Sequence, residues 1–375
     1  MYYRTIRKMD TKSKLGKRMI GALISEKNQK QLSIRLTDIS RTRMIKKYCN
    51  KKEASLKALF QTCLEHISPV TTPPVLISQV PHSGGSLLNK FFDGHHEIYA
   101  YPDELMNGIA AKIPWTEIDP KDGPQRWIDF FFDYLKPQNI PPSFKPDTNQ
   151  KGALPIVFLP LLQKQIFLKY LNTIKLIKPR DVFDAYMTSF FGAWLNYQNH
   201  SQHKKFITGL APGLVTLKEN MEVFFDIFPY GRFIYLVANP QNWYGSALRA
   251  EPGKYADVKW SVMRWKESLH AALWSKERFA DRTCLIKVED LVNKPEPVMR
   301  HLAEFLGLQY DHILLIPTFN GYPISADSSF KVAKVEIVKR HSKEIPTLSS
   351  DQSKIIAEMT KDGYKEFLNE TVRFE

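Results

Sequence analysis

One short stretch, residues 79–105 (QVPHSGGSLLNKFFDGHHEIYAYPDEL), gathers groups able to hold and transfer an anion. Ser83, Gly84, Gly85 and Ser86 fall in a turn between an apolar run and an amphipathic segment. A helix starting there points backbone N–H groups and the positive end of its dipole at whatever sits in front of it. Glycines let the backbone approach closely, and serine hydroxyls add donors. His82 stands where a permanent cation would meet the anion, and carries charge only when protonated. The turn is not a nucleotide-hydrolysing loop of the G-x-x-x-x-G-K-[ST] type. Gln79 stands for its first glycine and Gly85 for its lysine, which argues against ATP hydrolysis. Further on, Asp103 and Glu104 in PDEL leave the end of a second apolar run, and as isolated acids they read equally as loop or capping residues. His95 and His96 have no acidic or cysteine cluster to complete a metal site, so no metal is expected.

These groups need a scaffold, and the pattern on either side supplies one. SPVTTPP (68–74) interrupts any helix and marks a boundary. VLISQV then reads as a buried strand, SLLNKFFDG as a helix closed by Gly94, and EIYAY as a second strand expected to lie beside the first. KKFITGL, RFIYLVANP and RTCLIKVED are further strands, separated by helical stretches. Residues 257–279 place Val258, Val262, Trp265, Leu269 and Leu273 on one side, and the tryptophans of this stretch, Trp260, Trp265 and Trp274, are expected in the core. KPEPVMRHLAEFLGL begins with proline and ends on Gly307, as helices do. Glu289 and Asp290, directly after a strand, read as turn and capping residues. The alternation predicts an α/β fold with a doubly wound parallel sheet flanked by helices.

The net charge of +14 belongs to one end of the chain. Residues 1–70 hold 17 Lys/Arg against 5 Asp/Glu, or +12, leaving +2 for the rest. The expected organisation is therefore a basic helical extension over 1–70 and one α/β domain over 71–375. Within the extension, SIRLTDISRTRMIKKY and KKEASLKALFQTCLEHI have apolar residues at helical intervals, the second presenting Leu56, Leu59, Phe60, Cys63, Leu64 and Ile67. Such a segment either docks an acidic partner or packs on the body with its charges in solvent. No apolar run reaches the length of a membrane span, and no apolar h-region follows the basic start, so a cytoplasmic location is expected. Cys49, Cys63 and Cys284 are too scattered for a disulfide framework or a zinc site and are expected as buried free thiols.

The quoted segments, taken together, resemble the sulfotransferases that use 3′-phosphoadenosine 5′-phosphosulfate (PAPS). VPHSGGSLL and DGHHEI are similar to that family's bacterial branch, whose loop reads V-P-R-S-G-[GT]-T-L-L and continues D-G-H-P-E-I. PYGRFIYLVANPQNWYGSALR resembles its R-D-P-R-x-W-Y-x-S segment for the 3′-phosphate, VEDLVNKPEPVMRHLAEFLGL its Y-E-D-L segment, and PTFNGYPISADSSF its late N-S-S-F loop. The resemblance runs over roughly residues 74–370 and implies a P-loop-type fold. It implies that His82, Ser83, Gly84, Gly85 and Ser86 cradle the 5′-phosphosulfate of the co-substrate. Ser246 and Arg249 would hold the 3′-phosphate, with Lys331 and Lys334 within reach. Glu104, or Asp103 beside it, would take the proton of a hydroxyl or amine acceptor, a small molecule, carbohydrate or lipid. His82 replaces the loop Arg or Lys, Ala238 the 3′-phosphate arginine, Asn239 an Asp, Gln241 an Arg, and Asp327 an Asn. A charge-assisted hydrogen bond contributes roughly 1.5–3 kcal/mol, so two lost cations weaken donor binding by on the order of 10²–10⁴-fold. The alternative reading is a catalytically impaired binding or scaffold protein with the same fold.

Overall fold

A computed structural model of the chain describes residues 53–105, 119, 121–128, 157–201, 203–212, 218–324, 330–334, 337–340 and 348–374. The chain divides into two compact units. Of the described residues, those up to His66 belong to the first and those from Ile67 onward to the second. In the first unit α1 (Glu53–Glu65) half-buries Leu56, Phe60, Cys63 and Leu64 along one stripe, while Leu59 is exposed. The helix expected over SIRLTDISRTRMIKKY lies outside the described residues.

The second unit is built on five strands: β1 (Pro74–Gln79), β2 (Ile98–Glu104), β3 (Phe206–Leu210), β4 (Arg232–Val237) and β5 (Thr283–Lys287). All pairings are parallel, in the order β2-β3-β1-β4-β5. Every residue of β1 is buried, as a central strand covered on both faces requires. The second strand does not lie beside the first as the sequence order suggested, because β3 sits between them. Pro102 has no N–H to give a ladder, and β2 takes the edge, where that deficit costs least.

The helices follow the local signals. α2 (Gly85–Asp93) buries Leu87, Leu88, Phe91 and Phe92. Gly94 closes it in a right-handed conformation (φ −80°), so its glycine is not needed for a left-handed cap. The reason is space: a Cβ there would stand 2.6 Å from Ile313. After α3 (Pro124–Ile128), α4 (Pro160–Leu171) and α5 (Pro179–Ala193) pack on one another. Then come α6 (Lys218–Ile227), α7 (Pro240–Ala250), α8 (Val258–Arg278), α9 (Val288–Asn293), α10 (Pro295–Leu306) and α11 (Ser350–Glu370). α4, α5, α7 and α10 have proline in the first turn, where its missing N–H is harmless. α10 ends on Gly307 at φ +61°, the left-handed C-cap its sequence called for. α8 buries Val262, Trp265, Leu269 and Leu273, with Val258 half-buried. Of its other tryptophans Trp274 is half-buried and Trp260 is exposed, against expectation, because it lies in the first turn off the buried stripe. Two small antiparallel pairs complete the unit: β6 (Thr318–Phe319) with β7 (Tyr322–Pro323), and β8 (Phe330–Lys334) with β9 (Ile337–Arg340).

Cys284 is a buried free thiol, pushed by burial up to about 12, whereas Cys63 is free but only half-buried. Cys49 lies outside the described residues. Among those residues no helix is long and apolar enough to cross a membrane.

Candidate functional site

The site begins where β1 ends. Parallel register sets Gln79 beside Leu236 of β4, so the loop after β1 and the start of α7 leave the same sheet edge side by side. That is the edge where open α/β sheets bind ligands. Gly84, at φ +84°, is the N-cap of α2, and its carbonyl accepts the N–H groups of Leu87 and Leu88. His82 is also left-handed, at φ +71°, a conformation that costs a non-glycine residue roughly 1–2 kcal/mol. Trp243 of α7 holds the loop in this shape by donating its indole N–H to the Pro81 carbonyl at 2.8 Å. Ser83 is fully buried, and its hydroxyl has no partner among the described residues. Ser86 is half-buried in the first turn of α2.

Two donors of this cradle are already engaged. The Gly85 N–H donates to Gln79 Oε1 at 2.5 Å, and Gln79 is only 5% exposed. Leu210 crowds the same spot, since a Cβ on Gly85 would stand 2.5 Å from its Cδ1. His82 Nε2 lies 2.9 Å from Glu251 Oε1, just past the end of α7. Glu251 also meets Lys254 at 3.4 Å. The His82 hydrogen bond is the main reason its carboxyl is held below the usual range. Tyr255 backs His82 edge-on, with ring centroids 5.7 Å apart. Sequence reasoning missed both partners. Gln79 was visible only as an absent glycine, and Glu251 is 169 residues from His82 with no local pattern marking it.

The 3′-phosphate side of the resemblance maps onto α7. Ala238 is completely buried. Asn239 caps α7 with its side chain, accepting from the Gln241 and Asn242 N–H groups at 3.0 and 3.3 Å. Its own N–H donates to the Glu289 carboxylate at 3.1 Å, and Asn242 Nδ2 reaches the same carboxylate at 3.2 Å. Glu289 therefore caps as its type and position suggested, but the helix it caps is α7, reached from α9. Ser246 is 8% exposed and donates its hydroxyl back to the Asn242 carbonyl at 2.9 Å. Arg249, one turn on, is half-buried. The start of α7 faces α11 across a groove of about 540 Å³ that includes Gln241, Lys361 and Tyr364. The donors thus fit the phosphosulfate end of a nucleotide, while the 3′ end lacks its arginine and has satisfied its polar groups internally.

The acidic pair sits on the edge strand. β2 slips register between Ala100 and Glu104, so that Glu104 pairs with Leu210. Asn89 of α2 accepts from Thr208 Oγ1 and donates to the Tyr101 carbonyl at 2.8 and 2.7 Å, which ties the irregular stretch to the helix behind the cradle. Such irregularities re-aim the residues they carry. Glu104 is half-buried, and the backbone of Asp103 lies in the irregular stretch. β3 separates this edge from the cradle strand. The backbones of Lys331 and Lys334 lie on β8, whose partner β9 packs against α9. Asp327 lies outside the described residues. His95 is buried, with Nε2 2.8 Å from the Gln309 carbonyl, and burial lowers its pKa. Among the described residues no cluster of three acidic, His or Cys groups could hold a metal.

Residues 73–312 match the family model described as the sulfotransferase family. No curated protein sequence matches the chain. Solved structures give looser likenesses. A sulfotransferase domain from the Synechococcus PCC 7002 olefin synthase is 17% identical over 79% of this chain and 98% of that one, with a TM-score of 0.44. A sulfotransferase from Alicyclobacillus acidocaldarius is 13% identical over 80% and 96%, with a TM-score of 0.42. Retinol dehydratase in complex with androsterone and inactive cofactor PAP is 14% identical over 84% and 87%, with a TM-score of 0.33. Overlaps this loose carry no argument about the site. The family match spans well over half of the chain and covers the cradle, the irregular edge strand and all of α7, so the chain belongs to the sulfotransferase family.

Proposed function

We propose that this protein is a PAPS-dependent sulfotransferase whose donor site is held mainly at its phosphosulfate end. The observation that carries the reading is the loop between β1 and α2. It combines a left-handed Gly84, a buried Ser83 hydroxyl without a partner, and the start of a helix at the ligand-binding edge of a parallel sheet. His82, Ser83, Gly84, Gly85 and Ser86 would hold the phosphosulfate, with Ser246 and Arg249 toward the 3′ end. PAPS supplies an activated sulfuryl group and a bisphosphate leaving group. The chain's own part is to position it, to stabilise charge at the cradle, and to take the acceptor proton on Glu104, with Asp103 beside it. The acceptor is a hydroxyl or amine.

A second reading has its own observation. Glu251 on His82 and Glu289 on the Asn239 N–H place carboxylates where phosphate oxygens would bind, as in a binding or scaffold protein that no longer uses the donor. Calorimetric titration of adenosine 3′,5′-bisphosphate and of AMP into the purified protein separates the two. The enzyme reading expects the bisphosphate to bind at least several-fold more tightly. Equal affinity for the two nucleotides, or binding of neither, removes it and leaves the scaffold.

A further inference from the structure

We propose that Gln79 is an internal gate on the anion cradle: its carboxamide occupies the Gly85 N–H that an incoming phosphosulfate oxygen would use, and it must swing away for the donor to bind. The inference concerns the regulation of the proposed donor site and rests on that reading.

The first N–H groups of a helix have no partner within it, and an N-cap side chain meets only those of the second or third residue. The N-cap of α2 is Gly84, which has no side chain to offer. The N–H of Gly85, the first helical residue, lies beyond the reach of any N-cap side chain and is met from six residues back, by a side chain on the last residue of the central strand. Gln79 therefore does what a bound anion would do, and does it from inside the protein.

If capping were its whole purpose, the polar groups of the loop should be satisfied together. They are not. Ser83 is fully buried beside Gly84, and its hydroxyl has no partner among the described residues while Gln79 holds Gly85. A neutral carboxamide is also the weaker acceptor, because hydrogen bonds to a charged oxygen are roughly twice as strong. An anion oxygen would displace Gln79 with a net gain and bring an acceptor to Ser83 as well. The Gly85 N–H is a single donor already aimed at Gln79 Oε1, so an anion oxygen can take it only by displacing the carboxamide. His82, held by Glu251 at 2.9 Å, is a second contact that the same anion must exchange. Apparent affinity is then the intrinsic affinity reduced by the fraction of molecules with the gate open.

The test uses the full chain and two substitutions, Gln79→Gly and Gln79→Glu. Pyrophosphate and adenosine 3′,5′-bisphosphate are each titrated calorimetrically into the three proteins. Gln79→Gly deletes the competitor and should raise pyrophosphate affinity about tenfold. Gln79→Glu keeps the shape, grips the Gly85 N–H with a charge and repels an anion, and should lower affinity by a similar factor. Its near-identical size guards against Gln79→Gly failing to fold. Equal pyrophosphate affinity in wild type and Gln79→Glu overturns the gate, as does the absence of pyrophosphate binding in every folded variant. The ranking with pyrophosphate but no preference for the bisphosphate keeps the gate and removes the nucleotide reading. Preference for the bisphosphate with no ranking among variants does the reverse.

Discussion

The two ends of the proposed donor site each lack a cation that the resemblance leads one to expect, and their surroundings differ. At the loop after β1 the replacement, His82, is 27% exposed and held by a partner at the surface. Its backbone is left-handed, and the Ser83 hydroxyl has no partner among the described residues. At the start of α7 the replacement, Ala238, has no exposed surface. Asn239, Asn242 and Ser246 there make hydrogen bonds to the chain itself or to Glu289. The first end is short of charge and the second is short of both charge and room. On the proposed reading, a single new cation should strengthen binding at the first end and not at the second.

Trp243 tests whether the ends act together, since it belongs to α7 and grips the loop. Trp243→Ala empties a fully buried site and should cost about 3–5 kcal/mol in urea unfolding. Trp243→Phe keeps most of the packing, leaves the Pro81 carbonyl without its donor, and should cost only about 1 kcal/mol. If the phenylalanine variant loses as much bisphosphate affinity as the alanine one, loop position and not packing links the two ends.

The comparison is broken or kept most directly by adding arginine at each end. Ala238→Arg forces a long charged side chain into a closed space and should destabilise by about 1–3 kcal/mol, with no gain in bisphosphate affinity. His82→Arg, at a half-exposed position, should keep the fold and tighten bisphosphate binding about tenfold, less so as salt is raised. A stable Ala238→Arg variant that binds more tightly would show that the second end is open after all.

The last prediction is a control far from the donor groups. Asp184 on α5 is pushed by burial up to about 7, against the pull of Arg180 at 3.4 Å. Its folded form holds a proton that the unfolded chain, titrating near 3.8, has already released. Stability should therefore fall as pH rises from about 4 to about 7, and the penalty should stay in place above that. Asp184→Asn should raise the melting temperature at pH 8 and leave it nearly unchanged near pH 4, with bisphosphate affinity unaffected. An advantage that is the same at both pH values would mean that charge is not the cause.

What the sequence determined by itself was whatever a few neighbouring residues decide. The five strands and the core-facing stripe of α8 follow from apolar spacing, and the first turns of α4, α5, α7 and α10 from proline geometry. The left-handed turn at Gly84 and the stop at Gly307 follow from what glycine alone does at no steric cost. The cradle was visible for the same reason, because a strand, a Ser/Gly turn and a helix start are adjacent in the chain. Only the tertiary structure decided what occupies it. β3 enters between β1 and β2 from more than a hundred residues away, and no local spacing encodes that order. Glu251 reaches His82, Glu289 reaches Asn239, and Leu210 closes over Gly85 through contacts that exist only once the sheet has assembled. Even Gln79, six residues from its partner, shows its role only when the strand and helix are set at an angle that turns its carboxamide back onto the Gly85 N–H.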